Sequence, residues 1–303
     1  MKRIVITGGT GLIGSDLMSL LEGKYYLTIL TRHPKRWPKR NLVEYIYWDG
    51  KSEITSILNY TEGIINLIGE NIGKKRWNKK QKQTIINSRR NAAIAIKNSI
   101  EKCHNKPKVW IQASATGFYG QHDNIVLDEQ SPKGENSFLA DVCEEWEKPI
   151  QELNSPETRK VIIRTGVVLA KKSDLWKQLT MSFRFGVAAI PGSGKQYLPW
   201  IHLRDETRAI AFLLENESHS GIFNLVAPGS STMKDITDRI NDKKKAVFKM
   251  HIPAWFLSII FGKEKTREII LTNQRVIPKH LLDEGFTFEY PNIADAIKEL
   301  IKP

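Results

Sequence analysis

Cysteine is nearly absent from this chain. Cys103 and Cys143 are its two thiols, and their spacing makes neither a disulfide framework nor a metal motif. A disulfide-stapled secreted domain is thereby excluded, and a reducing, cytoplasmic setting is expected. Long apolar runs are missing as well. The longest, residues 252–262, is too short to span a bilayer and is expected as a core or interfacial segment. The first seven residues run straight into glycines, so no cleavable apolar leader is expected there. Repeats, low-complexity tracts and long linkers are lacking too.

Acidic charge is in deficit: 33 Asp and Glu stand against 46 Lys and Arg, a net charge of +13. Such an excess raises the question of nucleic acid or a membrane surface. The lysines are scattered, however, and no nucleic-acid motif accompanies them. The expectation is therefore a lysine-rich surface plus a site for a polyanionic ligand, with neither nucleic acid nor membrane as partner. The densest cluster is Lys74, Lys75, Arg76, Lys79, Lys80 and Lys82.

What is present is regular alternation. Strands are predicted over residues 3–7, 26–30, 43–47, 63–68, 109–114 and 160–169, and helices over 14–21, 87–101 and 138–153. Continuous β-branched strands between amphipathic helices imply an α/β fold with a doubly wound parallel sheet. Residues 1–170 form the main Rossmann-type domain, completed by about 203–227. Residues 171–202 and 228–303 form a smaller, mixed substrate-side region. Within the smaller region 186–200 is expected as a loop over a ligand cleft and 293–301 as a helix, while 203–215 is expected as a helix and 222–226 as a late strand returning to the main sheet.

The turn between the first strand and the first helix reads Thr7-Gly8-Gly9-Thr10-Gly11-Leu12-Ile13-Gly14. It satisfies Gly-x-Gly-x-x-Gly in the strand–turn–helix context that gives the pattern meaning. Glycine permits the tight turn and close approach of a pyrophosphate, and the helix start aims unpaired N–H groups at the anion. The second strand then ends Leu30-Thr31-Arg32-His33, with no acid to hold a ribose 2′-hydroxyl. Arg32 stands where a guanidinium would grip a 2′-phosphate, so NADP(H) is expected over NAD(H). Lys35 and Arg36 add positive charge. Asp49 is either an acceptor for an adenine amino group or an ordinary turn aspartate. Gly194-Lys195 fails as a P-loop, because Ala189 and Gln196 break its spacing.

Further segments give a more specific likeness. They are Asn66-Leu67-Ile68-Gly69-Glu70, Lys75-Arg76-Trp77, Ser88-Arg89, Ser114-Ala115-Thr116-Gly117-Phe118-Tyr119-Gly120 and Arg164-Thr165-Gly166-Val167-Val168-Leu169. Later in the chain come Gly192-Ser193-Gly194-Lys195-Gln196, Trp200-Ile201-His202, Gln274-Arg275-Val276-Ile277-Pro278 and Gly285-Phe286-Thr287-Phe288. Together with the glycine turn, the chain resembles the YfcH-like epimerase family proteins, an atypical group of the extended short-chain dehydrogenases. The resemblance implies NADP(H) held by Gly8 to Gly14, Thr31, Arg32, Asn66, Leu67, Gly69, Glu70 and Arg89. It implies a small-molecule substrate beside Lys75, Trp200 and His202, and it assigns no reaction. A homodimer is compatible with such a surface.

Short-chain dehydrogenases usually move a proton through Tyr-x-x-x-Lys, with a Ser or Thr on the preceding strand end. By the resemblance, Phe138 and Val142 replace that Tyr and Lys, and neither transfers a proton. The literal match, Tyr47 to Lys51, lies far upstream and is accidental. Three readings stay open: an oxidoreductase or epimerase using other groups, a non-catalytic NADP(H) sensor that binds a protein partner, and a dehydratase-like or isomerase activity. The catalytic candidates are Ser114, Thr116 and Tyr119, with Lys75, His202 and Asp205 behind them. Each has a structural alternative: strand-end hydrogen bonding for Ser114 and Thr116, core packing for Tyr119 and His202, surface exposure for Lys75, helix capping for Asp205 and a pocket wall for Trp200. Arg164 is expected at the start of the sixth strand as a structural or cleft residue.

Overall fold

The apolar runs of the first half become strands covered on both faces. The computed structural model describes residues 1–123 and 125–302. In chain order its first half comprises β1 (Arg3–Thr7), α1 (Leu12–Leu21), β2 (Tyr26–Thr31), β3 (Val43–Tyr47), α2 (Thr55–Leu58), β4 (Gly63–Asn66), α3 (Lys79–Lys102), β5 (Val109–Ala115), β6 (Val126–Leu127), α4 (Phe138–Gln151), β7 (Arg159–Thr165) and β8 (Val167–Leu169). The second half adds α5 (Asp174–Met181), β9 (Val187–Pro191), β10 (Tyr197–Leu198), β11 (Trp200–His202), α6 (Leu203–Glu215), β12 (Gly221–Leu225), β13 (Ser231–Thr232) and α7 (Met233–Lys244). It closes with β14 (Phe248–Ile252), α8 (Ala254–Phe261), α9 (Lys263–Lys265), β15 (Arg275–Val276), α10 (Lys279–Asp283) and α11 (Ile293–Ile301).

Seven strands form one parallel sheet in the order β12-β7-β5-β4-β1-β2-β3. Ile4, Val5, Ile6, Ile64, Ile65, Trp110, Ile111, Val161 and Ile163 are buried in it. Helix α1 packs against α6, and α3 against α4. On α3, Ala92, Ala93, Ile96 and Ile100 face the core as the periodicity predicts. A second core, built from α5, β9 to β11, α7 and α11, includes Trp176, Trp200, Met233, Ile236, Ile297 and Leu300.

Several sequence expectations need correction. Helix α3 starts eight residues before its predicted position at residue 87, because the Asn78 side chain caps it by accepting from the Gln81 N–H at 2.8 Å. The polar first turns hid this start from a periodicity search. The predicted strand 160–169 is two strands. At Gly166 the chain leaves the main sheet, and β8 pairs instead with β11. A side chain at Gly166 would sit 2.8 Å from the Pro199 carbonyl oxygen. Residues 186–200 are not a loop. They hold β9, β10 and part of β11, with Gly192 (φ 61°) and Gly194 (φ 74°) turning the chain between short strands. Strands of two or three residues fall below what alternation can reveal. Of the two expectations for residues 252–262, a core or an interfacial segment, the structure excludes the core for most of α8, which is exposed.

Candidate cofactor and substrate site

Strand order reverses at β1, whose neighbours are β2 on one side and β4 on the other. The loops leaving β1 and β4 therefore diverge, opening the crevice in which doubly wound sheets take ligands. Gly8 lies there with φ 70°, and a Cβ on it would sit 2.8 Å from the Leu67 carbonyl. A Cβ on Gly14 would meet the Gly8 oxygen at 2.4 Å, so the turn closes on itself where side chains cannot fit. Gly11 is the N-cap of α1 and offers no side-chain cap, and the first turn carries no acid. Among the described residues, the N–H groups of Thr10, Leu12 and Ile13 have no protein partner. Bare N–H groups at the positive end of a helix favour an anion in front of them.

Cations gather beside this turn. Arg32, at the end of β2, is exposed and has no ion pair among the described residues. Its charge helps to hold the Glu70 carboxyl down. Burial pushes that carboxyl up, but hydrogen bonds from Gln81 and Lys75, at 3.3 Å each, together with the charges of Lys75 and Arg32, outweigh the burial. Lys75 is otherwise exposed. Arg89 lies under Gly69, where an added Cβ would come within 2.9 Å of the guanidinium. The guanidinium rests 4.6 Å from the Trp146 ring centroid and donates to the Ile85 carbonyl at 3.1 Å. Burial lowers its pKa to about 10, which still leaves a cation at neutral pH. Lys35 and Arg36 are exposed on a short turn. Asp49 takes the turn role: it accepts from the Lys51 and Ser52 N–H groups and the Ser52 hydroxyl, and these bonds lower its pKa.

Asn66 does not face the crevice. It is fully buried, accepts from the Thr7 hydroxyl and donates to Gln112 at 2.9 Å. Its oxygen also takes the Ile68 N–H at 3.3 Å, so its contact with the site runs through the loop it orders. Ser114 is likewise engaged, donating to Glu147 at 2.5 Å. Arg164, near the end of β7 rather than its start, grips Glu147 with two bonds of 3.0 and 2.9 Å. The same guanidinium donates to the Tyr119 hydroxyl at 3.2 Å, and that hydroxyl donates to Asn224 at 2.7 Å. Tyr119 thus sits inside a buried polar network, and burial drives its pKa up to about 12.

Thr116 differs from these neighbours. It opens the turn after β5, and its hydroxyl has no hydrogen bond among the described residues. Beyond it, Gly117 and Gly120 help to line a pocket of about 70 Å³ closed by Ser137, Glu268, Thr272 and Gln274. Glu268 caps α4 from outside, accepting from the Ser137 hydroxyl and from the Phe138 and Leu139 N–H groups. The Phe138 ring packs edge-on against Trp77, with the Lys82 ammonium 4.7 Å from its centroid. Val142 is buried.

The pocket residues expected around 200 are elsewhere. Trp200 belongs to the second core, with its indole N–H donating to the Gly229 carbonyl at 3.2 Å. His202 caps α6 by accepting from the Arg204 N–H, faces Glu299 and packs on Tyr290. The neighbours of Trp200 on α7 and α11 are distant in sequence, so a ligand-facing and a core indole look alike there. Asp205 is not the N-cap of α6. It is buried, ties down the Glu289 and Tyr290 N–H groups at 2.8 Å each and pairs with Arg208. Sequence reading missed Glu147 and Glu268. Glu147 was readable, since Ala140, Cys143, Glu147 and Ile150 share one face of α4 and a lone acid there needs a buried partner. Glu268 carried no local signal.

A seven-stranded parallel sheet with a glycine turn at its switch point defines a Rossmann-type protein of the short-chain dehydrogenase kind. Residues 4–138 match the NAD dependent epimerase/dehydratase family, and residues 252–300 match a domain of unknown function, DUF1731. An epimerase family protein of Staphylococcus aureus strain N315 is 32% identical over all of both chains. The Bos taurus epimerase family protein SDR39U1 is 31% identical over 99% of each. The chain belongs to this family of epimerase family proteins. The crystal structure of human SDR39U1 (isoform 2) with NADPH superimposes with a TM-score of 0.88, at 28% identity over 98% of each chain.

Proposed function

We propose that the protein binds NADP(H) and works in the cytoplasm as an oxidoreductase or epimerase on a small molecule. The observation that carries this is the uncapped glycine turn beside Arg32, an unpaired cation where an NAD site keeps an acid. Gly8, Gly9, Thr10, Gly11, Leu12, Ile13 and Gly14 would hold the pyrophosphate, and Thr31 with Arg32 the 2′-phosphate. Leu67, Gly69, Glu70 and Arg89 would border the cofactor on the β4 side. The fit is supported by the tight backbone turn that glycine permits at positions 8 and 14, beside which the Thr10, Leu12 and Ile13 N–H groups have no protein partner among the described residues. Human SDR39U1, solved with NADPH, supports the same cofactor here. When bound, the nicotinamide supplies hydride transfer.

Thr116 is the hydroxyl available to orient a substrate oxygen, since Ser114 and Tyr119 are tied into the buried network. With Phe138 and Val142 in place of the usual Tyr and Lys, the proton is moved by the substrate, by water or by Thr116. Calorimetric titration with NADPH, NADP and NADH tests the reading. NADPH is expected to bind roughly tenfold to a hundredfold more tightly than NADH, the worth of one or two charge-assisted hydrogen bonds. Arg32→Glu should erase that preference. Equal affinity for NADPH and NADH would remove Arg32 from the site. Turnover of NADPH with carbonyl substrates then separates an enzyme from a sensor.

A further inference from the structure

Helix α8 is apolar at every position except Ser258. A helix apolar all round belongs in a core or in lipid. Here Leu257 is buried, while Trp255 (66% exposed), Phe256, Ile259 (64%) and Ile260 face outward. The chain leading into α8 extends this surface with exposed Val247, Phe248 and Met250. Phe185, 80% exposed, adjoins it, because the Gly186 carbonyl accepts the Val247 and Phe248 N–H groups. Exposed apolar surface of this extent marks an interaction site.

The surroundings are basic. The densest cationic stretch of the sequence folds against the foot of this helix. Lys265 donates to the Gly73 and Lys75 carbonyls, Lys82 pairs with Glu264 at 2.5 Å, and Arg76 lies beside Gly262. Lys243, Lys244 and Lys245 end α7 just before β14. The nearby acids are engaged: Asp238 by Lys234 and Lys249, and Asp174 by Lys74. Lys79, Lys80, Lys263 and Lys243 to Lys245 have no ion pair among the described residues.

We propose that α8 and the strand before it dock on an anionic lipid bilayer. The helix would lie in the headgroup region with Trp255, Phe256, Ile259 and Ile260 inserted and the lysines on the lipid phosphates. A second copy of the chain fits less well, because it would bring two basic rims together. The expectation of no membrane partner rested on the scatter of the lysines along the sequence, and among the described residues no helix is long and apolar enough to cross a membrane. Lying on a bilayer needs no such helix.

Flotation of the cofactor-free protein tests this, using vesicles of pure phosphatidylcholine and of phosphatidylcholine with phosphatidylglycerol in a two-to-one ratio. At low salt the protein should float with the mixed vesicles at least about tenfold more than with the neutral ones, and high salt should release it. The double variant Trp255→Asp with Ile259→Asp should lose flotation while keeping its melting temperature and NADPH affinity, since both side chains are exposed. Absence of flotation with mixed vesicles, or flotation that survives the double variant, would overturn the proposal. So would a wild-type dimer that the double variant converts to monomer, which would mean that a second copy covers the helix.

Discussion

Replacing Arg164 by Leu should be among the most damaging single changes in this chain. Arg164 and Glu147 are 2% and 1% exposed, and two bonds of 3.0 and 2.9 Å join them. In Arg164→Leu the Glu147 carboxylate keeps the Ser114 hydroxyl on Oε1, but Oε2 is left without a donor. Breaking a buried ion pair from one side costs about 3–5 kcal/mol. Loss of the guanidinium stacked 3.4 Å from the Phe118 centroid adds to that. Adding Glu147→Leu should recover much of the loss, because an apolar pair of similar volume removes the uncompensated charge. Denaturant unfolding of wild type, both single variants and the double variant closes a thermodynamic cycle. A cost below about 1 kcal/mol for Arg164→Leu, or a double variant equal to the sum of the singles, would refute the assignment of these residues as one coupled unit.

Further predictions concern the site. Gly14→Ala forces a Cβ to within 2.4 Å of the Gly8 oxygen. It should destabilise by about 1–3 kcal/mol and weaken NADPH binding, as thermal melts and calorimetry will show. Thr116→Val removes the unengaged hydroxyl after β5. It should lower turnover about a hundredfold with NADPH affinity unchanged; unaltered turnover would take Thr116 out of the mechanism. Burial pushes the Glu206 carboxyl from 4.5 up to about 8 despite a hydrogen bond from Thr165. The fold therefore holds a proton that the unfolded chain releases across that window. This group's contribution is full below about pH 4.5 and is lost as pH rises towards 8, at about 1.4 kcal/mol per pH unit. Glu206→Gln should flatten that slope in denaturant titrations run at several pH values.

The main sheet was largely legible in the chain itself. Long β-branched runs between amphipathic helices have few other ways to be buried, and β3, α6 and the start of β1 fall where the pattern puts them. The glycine turn was legible for a related reason. The contacts that close it are local, Gly8 against Gly11 and Gly14, so for them sequence spacing is also spatial spacing.

What only the tertiary structure decided is the fate of polar and aromatic side chains whose partners lie far along the chain. Asn66 spends its amide on Thr7 and Gln112, Tyr119 on Asn224 and Arg164, and Trp200 packs among residues from α7 and α11. Whether such a group faces a ligand or the core depends on what covers it, and no local period records that. The same holds in reverse for α8. Its composition says that it must be covered, and the tertiary structure shows that within this chain most of it is not.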